Sequence, residues 1–273
     1  MDKVTVPGLA DMKRAGRKIV GVVAWDYQVA TIADRTGVDL LVVGDSVGVN
    51  LWGHATPFEV TMEEMITVCR AVRRGAQRAL VCCDFPFGPL QEGVDSAVRA
   101  AVRLVKEAGA DLVKLDGAVD YPEAVAAIER AGIPVFAQFG LTPQLALRHG
   151  IDYSSLAAGP VQEQTTNQLV VWAKRLEEAG ASMLDFTNSG PVAGAEVAKA
   201  VSIPVLGGFG GGPWLDGRVR MAHAAIGYAA TGIDNPPDTY ANVAATTFSA
   251  LSEYAEDVRA ERQIKGGVPW PRP

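Results

Sequence analysis

Glu107-Ala-Gly-Ala-Asp-Leu-Val-Lys-Leu-Asp116 contains a charged helix end, a glycine and a short apolar run, in that order. A glycine just after a helix takes the left-handed backbone conformation without the steric cost of a Cβ, so Gly109 marks a helix end. The apolar run does not alternate with polar residues, which is typical of a parallel strand covered on both faces. The pattern recurs at residues 35–45, 130–140, 178–185 and 199–207, the last with Val201-Ser202 in place of the glycine.

Two further apolar runs, residues 18–25 and 78–84, extend this series of strands. Between the strands, apolar residues recur at helical spacing, as they do in residues 93–107. Thr61-Met-Glu-Glu64 has the form of a capping box, which predicts a helix start. Strand and helix alternate at least seven times, and this favours an α/β fold of the (β/α)8 TIM barrel type over an open sheet.

The end of the chain carries the weakest part of this prediction. We place the eighth strand near residues 219–222, which are not clearly β-like. A single domain is expected over residues 1–273, because α/β barrels run to about 250 residues as one unit. A helical C-terminal tail is expected at about residues 238–264, followed by a loose end rich in Gly and Pro.

The composition excludes several classes of protein. Of the 273 residues 48% are hydrophobic, so the chain is too apolar to be disordered. A net charge of −6 argues against a large phosphate-binding face, and we expect no nucleic-acid partner. No apolar run approaches the roughly 18 residues of a membrane span, and no signal-peptide pattern is found at the N-terminus. Three cysteines without a C-x-x-C spacing indicate a reducing compartment, so a cytoplasmic protein without a membrane partner is expected.

Acidic residues stand at the ends of three consecutive predicted strands. Asp45, Asp84 and Asp116 follow the second, third and fourth apolar runs, and functional residues of such barrels cluster at the carboxyl ends of the strands. Carboxylates packed together repel one another unless a cation neutralises them. Oxygen ligands without His or Cys suit Mg²⁺, so these residues are candidate metal ligands. Alternatively, the three acids cap loops or helix starts.

Other polar residues are expected to face the same opening. Lys114 and Asp116 lie two residues apart on a strand and therefore on one face, where they would bind a substrate anion and a metal side by side. Alternatively, Lys114 forms an internal salt bridge with one of the aspartates. Asp185 and Thr187 would both face the barrel interior, with Asp185 about 7 Å deeper. The glycine run at residues 207–212 is interpreted as a tight loop at the barrel mouth, and His54 as a substrate contact or a loop-packing residue.

Several motifs, in this order, resemble the ketopantoate hydroxymethyltransferase family, which belongs to the phosphoenolpyruvate mutase and isocitrate lyase group of barrels. The resemblance covers about residues 18–227. The motifs are specific in combination, although each alone is weak. They are Ala24-Trp-Asp-Tyr27, Val42-Val-Gly-Asp-Ser46, Val60-Thr-Met-Glu-Glu-Met-Ile66, Arg74-Gly75, Asp84-Phe-Pro-Phe-Gly88, Val113-Lys-Leu-Asp-Gly117, Gly132-Ile-Pro134, Gly140-Leu-Thr-Pro-Gln144 and Asp216-Gly217.

This resemblance implies a Mg²⁺-dependent reaction in which a one-carbon unit passes from 5,10-methylenetetrahydrofolate to the carbon beside the carbonyl of a 2-oxo acid. Asp45 and Asp84 match the family's Mg²⁺ ligands, and Asp116 matches a glutamate near the metal. Lys114 and Ser46 match residues that hold the 2-oxo acid. The metal would polarise the keto group and stabilise an enolate. The resemblance also implies a homo-oligomer.

The chain departs from the family where protons are transferred. The family's catalytic glutamate aligns with Thr187, and its histidine aligns with Gln138. The family's Asp-Ser-Thr after the second strand is replaced by Ala55-Thr-Pro57, and an acid near the end of the barrel by Ala224. We hypothesise that Asp185 supplies the missing carboxylate; alternatively, it is a buried acid paired with a neighbouring lysine.

These observations define the candidate functions. The first is a Mg²⁺-dependent enzyme that forms a C–C bond on a small-molecule 2-oxo acid, with hydroxymethyl transfer as the family default. One alternative is an aldolase or lyase of the same superfamily that uses no folate. The other is a non-catalytic 2-oxo-acid binding protein. The candidate residues are grouped as catalytic (Asp185, Lys114, Gln138, Thr187), substrate-binding (Ser46, Lys114, Asp45, Asp84) and metal-binding (Asp45, Asp84, Asp116).

Overall fold

The computed structural model describes residues 2–151, 166–187, 192–208 and 212–268. The chain forms two compact units, residues 1–220 and residues 221–273. The expectation of a single domain over residues 1–273 stays a prediction.

The first unit is built on a closed barrel of eight parallel strands in the order β1 to β8. This confirms the predicted (β/α)8 class. The strands are β1 Ile19–Val23, β2 Leu40–Val43, β3 Leu80–Asp84, β4 Leu112–Leu115, β5 Val135–Gly140, β6 Met183–Thr187, β7 Val205–Gly207 and β8 Gly217–Met221.

Helices follow most of the strands along the chain. In the first unit they are α1 Val6–Arg14, α2 Tyr27–Arg35, α3 Val47–Leu51, α4 Met62–Gly75, α5 Val94–Arg103, α6 Pro122–Arg130, α7 Thr166–Glu178 and α8 Val192–Ala200. The predicted capping box at the start of α4 is present, because the side chains of Thr61 and Glu64 each accept a hydrogen bond from the other residue's backbone N–H. Helix α5 continues into one π-helical turn, Leu104–Ala108.

The eighth strand begins earlier than the sequence suggested. It starts at Gly217 rather than at residue 219, and Gly217 pairs with Leu206 of β7. A Cβ on Gly217 would collide with the backbone of Ile19, so the glycine allows close approach to the start of β1. Glycine and arginine are poor strand formers, and this start is therefore not visible as an apolar run.

Every residue of strands β2 to β7 is buried. This agrees with the non-alternating apolar pattern, since both faces of these strands are covered. The neighbouring strands lie in a register that pairs Asp84 with Lys114 and Gln138 with Asp185. Polar residues from four strands are thereby carried to the same end of the barrel.

The second unit contains α9 Ala222–Ala225, a 3₁₀ turn Ala230–Ile233 and α10 Val243–Arg259. Asn242 caps α10: its side chain accepts a hydrogen bond from the backbone of Ala245 and donates one to Gly232 O at 2.9 Å. The tail predicted at residues 238–264 thus contains one helix. Among the described residues, no helix combines the length and apolar character needed to cross a bilayer.

Candidate active site

Three buried aspartates mark the mouth of the barrel. Asp45 follows β2, Asp84 is the last residue of β3, and Asp116 follows β4. The turn into Asp45 is held by the buried indole of Trp25, which donates a hydrogen bond to Gly44 O at 2.9 Å. The alignment of parallel strands therefore brings together the acids that the sequence predicted as metal ligands.

Lys114 is buried among these acids. Its ammonium lies 3.0 Å from Asp84 Oδ2 and 3.4 Å from Asp185 Oδ2. The structure thus contains the internal ion pair that was the alternative for Lys114, and the lysine pairing that was the alternative for Asp185. Asp84 is on β3, Lys114 is on β4 and Asp185 is on β6. The ammonium of Lys114 therefore pairs with carboxylates from two strands that are not neighbours in the barrel.

Gln144 contacts two of the three aspartates at the mouth. It lies in the 3₁₀ turn Pro143–Leu145, just after β5. Its side-chain amide donates to Asp45 Oδ2 at 2.9 Å and to Phe85 O at 3.2 Å. Its backbone N–H donates to Asp116 Oδ2 at 3.1 Å. Sequence reasoning missed this residue; its place after a strand end, in a motif shared with the family, was the available signal.

Gln138 and Thr187 form a neutral pair beside the charged groups. Gln138 Nε2 donates to Thr187 Oγ1 at 2.9 Å, and both side chains are buried. By the resemblance described above, these two residues are expected at the positions of the family's histidine and glutamate. Neither an amide nor an aliphatic hydroxyl exchanges a proton readily near neutral pH, so this pair is suited to shape and polarity rather than to acid–base chemistry.

The aspartates have raised pKa values. Burial raises the pKa of Asp45 to about 6, with a further contribution from the charge of Asp116. Burial raises the pKa of Asp84 to about 7, although Lys114 opposes this shift. Burial likewise raises the pKa of Asp116 to about 6. Desolvation penalises each carboxylate, and the single ammonium nearby offsets only part of that penalty.

Lys114 and Asp185 are also shifted. Burial lowers the pKa of Lys114, but Asp84 and the other aspartates raise it by more, so its net pKa lies above the ordinary value. Lys114 therefore stays charged. Burial raises the pKa of Asp185, against the opposing effect of Lys114. A raised pKa brings a carboxylate closer to the range in which it exchanges protons at neutral pH.

The donor set fits a hard divalent cation. Asp84 Oδ1 and Asp116 Oδ1 are buried without a hydrogen-bond partner, as is Asp185 Oδ1. Within the described ranges, no group of three or more His, Cys, Asp or Glu side chains is arranged to hold a metal ion as it stands. Mg²⁺ is commonly held by one or two carboxylates, with waters and substrate completing its shell. Two unpartnered carboxylate oxygens in a buried acidic pocket are compatible with that mode.

The remaining predicted residues lie around this pocket or outside it. Ser46 is the N-cap of α3, and its side chain makes no capping hydrogen bond. His54 packs edge-on against Trp52, with ring centroids 5.7 Å apart, as expected of a loop-packing residue. Residues 209–211 of the predicted glycine loop lie outside the described residues, as do residues 269–273 of the predicted loose end.

Comparison with known proteins gives two kinds of similarity. The family profile described as ketopantoate hydroxymethyltransferase matches residues 3–263. A protein from a Cyanothece species named 3-methyl-2-oxobutanoate hydroxymethyltransferase is 38% identical over 264 residues, covering 95% of this chain and 97% of the relative. A protein of the same name from Pyrococcus abyssi is 37% identical, with 95% of this chain and 89% of the relative covered.

Solved structures with low sequence identity share the fold. A phosphonopyruvate hydrolase superposes with a TM-score of 0.61 at 15% identity, over 99% of this chain and 92% of the other. A 2,3-dimethylmalate lyase, described as a PEP mutase/isocitrate lyase superfamily member, gives a TM-score of 0.59 at 16% identity, over 97% and 92%. These similarities agree with the eight-stranded parallel barrel of this chain.

Proposed function

The chain belongs to the ketopantoate hydroxymethyltransferase family, and from this membership we propose that it forms a carbon–carbon bond at the carbon beside the carbonyl of a 2-oxo acid. Hydroxymethyl transfer is the default reaction, as in the names of the relatives. The observation that carries the proposal is the buried cluster of Asp45, Asp84 and Asp116 around Lys114 at the carboxyl ends of the strands.

The proposed cofactor is Mg²⁺. Asp45 and Asp84 would hold it, with Asp116 beside them, since these side chains form one buried cluster and Asp84 carries an unpartnered oxygen. When bound, Mg²⁺ polarises a carbonyl group and stabilises the negative charge that develops on its oxygen. The raised pKa values of the three aspartates come first from burial, and a bound cation would compensate this penalty on the charged carboxylates.

Lys114 and Ser46 are proposed to bind the acid. Because Lys114 stays protonated, its ammonium provides the positive charge that a substrate carboxylate needs in a buried site. Ser46 follows Asp45 directly, and its hydroxyl is not used to cap α3. These two residues would orient the 2-oxo acid with its third carbon toward β6.

Asp185 is proposed as the base. The C–H proton at carbon 3 passes to Asp185 Oδ1, which has no hydrogen-bond partner. The electron pair of that bond forms the C=C of the enolate, and the carbonyl pair moves onto oxygen. The enolate carbon then attacks the methylene carbon of the iminium form of 5,10-methylenetetrahydrofolate, the proposed donor, in which one C–N bond has already opened. Water replaces the remaining folate nitrogen, supplies the hydroxyl group and releases tetrahydrofolate. The ion pair with Lys114 at 3.4 Å fixes the orientation of Asp185.

The neutral Gln138–Thr187 pair favours two alternatives. One is an aldolase or lyase reaction on a 2-oxo acid with a free aldehyde and no folate. The other is a binding protein that takes a 2-oxo acid and a metal without proton exchange. Both alternatives keep the metal and 2-oxo-acid residues, and they differ from the first proposal in the chemistry that takes place after the acid has bound.

A substrate panel tests the proposal and separates the alternatives. 2-Oxo acids are incubated with the protein and Mg²⁺, with formaldehyde, with methylenetetrahydrofolate or with neither, and products are followed by NMR. A hydroxymethylated product that requires the folate donor supports the default reaction. Turnover with aldehyde alone supports the aldolase alternative, and binding without turnover supports the third. Light scattering tests the proposed homo-oligomer in the same preparation.

A further inference from the structure

Gln144 joins the mouth ends of four strands through one side chain and one backbone group. The residue belongs to the turn after β5, whereas its three hydrogen-bond partners follow β2, β3 and β4. Its side chain is buried, so water does not compete strongly for these contacts. No other described hydrogen bond joins one residue to both Asp45 and Asp116.

These contacts place the two oxygens of each carboxylate in different environments. Gln144 engages Oδ2 of Asp45 and Oδ2 of Asp116, and Lys114 engages Oδ2 of Asp84. Oδ1 of Asp84 and Oδ1 of Asp116 are left buried and without a partner. On Asp84 one oxygen is held by a protein donor and the other is available to a cation, whereas the buried hydroxyl of Thr142 lies beside Asp116.

The amide of Gln144 also suits a place between like charges. Asp45 and Asp116 repel one another when both are ionised, and an unrestrained pair would turn apart. A carboxamide donates N–H groups but has no charge to gain or lose, so it holds Asp45 over a wide pH range, while the backbone N–H of the same residue holds Asp116. Mutation of residues that hydrogen-bond to metal ligands without binding the metal themselves typically lowers metal affinity by 10- to 100-fold.

We propose that Gln144 is a positioning residue: its side chain holds Asp45, beside the Asp116 that its backbone N–H holds, in the orientation in which the aspartates take up a divalent cation. This inference rests on the proposed function, because it requires a cation at these aspartates. The loss of Gln144 would weaken cation binding without removing any ligand, and saturating metal would restore turnover.

The test is a titration of the full-length protein with Mn²⁺, followed by electron paramagnetic resonance of the free ion. In Gln144→Met, which keeps the length of the side chain, removes the amide that holds Asp45 and leaves the backbone bond to Asp116, the dissociation constant should rise about 10-fold or more. The control is Gln91→Met. Gln91 also lies in a loop after a strand end, where it accepts a hydrogen bond from Gly88 N at 2.9 Å, and it contacts none of the three aspartates.

A second variant and a kinetic measurement complete the test. Gln144→Asn keeps the amide but shortens its reach, and it decides the question if the Met variant does not fold. The Mg²⁺ concentration for half-maximal activity should rise in both variants, while kcat at saturating Mg²⁺ stays within a few-fold of the wild-type value. A folded variant that binds Mn²⁺ within twofold of wild type would overturn the positioning role and leave the proposed function standing. No Mn²⁺ binding by the wild-type protein would overturn the proposed metal site and this role together.

Discussion

The ammonium of Lys114 lies 3.0 Å from Asp84 Oδ2 in the centre of the barrel mouth. It thereby neutralises an acid that is also a proposed metal ligand, and it shares its charge with Asp185. Among the described residues Lys114 is the buried cation within this cluster of four aspartates, and Arg218 adds an opposing charge at Asp185 only, so a metal would add compensation at the other three. This imbalance makes the site sensitive to substitution, to pH and to metal.

Replacing Lys114 by Met should lower both stability and activity. Removal of one partner of a buried ion pair leaves the other charge uncompensated, which typically costs about 3–5 kcal/mol. We expect urea unfolding to shift by that order, and kcat/KM for a 2-oxo acid to fall at least about 100-fold, since about 2.7 kcal/mol of binding to the carboxylate is lost. Lys106→Met, on the exposed side of the π-helical turn, is the control and should change neither quantity appreciably.

Replacing Asp84 by Asn should remove the stabilisation by Mg²⁺. In the wild type, cation binding to the folded state alone raises the melting temperature. In Asp84→Asn the Mg²⁺-dependent rise should largely disappear. The metal-free variant should lose less stability than Lys114→Met, because Asp185 still pairs with Lys114 and a desolvated carboxylate has been removed. Asp95→Asn removes the same charge from the exposed first turn of α5 and should keep the full response. A normal Mg²⁺ response in Asp84→Asn would contradict the assignment.

Metal-free stability should fall as the pH rises from about 4 to 7. Burial raises the pKa of Asp84 to about 7 and those of Asp45 and Asp116 to about 6. The folded chain therefore holds more protons than the unfolded chain in this window, and stability decreases with pH. We expect the free energy of unfolding in EDTA to be at least about 1 kcal/mol lower at pH 8 than at pH 5, since one pKa unit corresponds to 1.36 kcal/mol.

Mg²⁺ should oppose this loss, because it binds the deprotonated carboxylates. Its stabilising effect is expected to be larger at pH 8 than at pH 5. Urea unfolding at both pH values, with EDTA or with Mg²⁺, measures both effects. If the metal-free protein were as stable at pH 8 as at pH 5, or more stable, the burial of the charged aspartates would not destabilise the fold as expected.

Replacing Asp185 by Asn should abolish proton removal from the substrate while leaving binding intact. The amide keeps the size of the side chain but cannot accept a proton, so exchange at carbon 3 should fall at least about 100-fold. Adding Thr187→Glu to this variant supplies a carboxylate two residues further along β6 and should restore part of the exchange. NMR in deuterated buffer measures both. Unchanged exchange in Asp185→Asn would exclude it as the base.

The barrel and the acids at its mouth were accessible from the sequence for a physical reason. Helix-ending glycines, buried apolar runs and the rule that parallel strands end at one edge together place Asp45, Asp84 and Asp116 side by side. The start of β8 was not visible, because Gly217 serves close packing rather than strand propensity.

Residue spacing in the sequence does not determine which side chains contact one another across the barrel mouth. The sequence left open whether Lys114 and Asp185 form ion pairs, and only the barrel's closure and register bring Lys114 within reach of acids from β3 and β6. Gln144 was missed as a contact of two aspartates because it reaches them from a turn, where strand alternation no longer applies.

Solvent-deuterium exchange at carbon 3 of a 2-oxo acid tests the central claim most directly. The wild-type protein is incubated with 3-methyl-2-oxobutanoate in D₂O without any one-carbon donor, and the carbon 3 proton signal is followed by NMR. With Mg²⁺ the signal should disappear at a rate proportional to the protein concentration, and EDTA should stop the exchange. Exchange no faster than in protein-free buffer, across a panel of 2-oxo acids that do bind, would contradict the proposed enzymatic function. It would support the non-catalytic 2-oxo-acid binding protein instead.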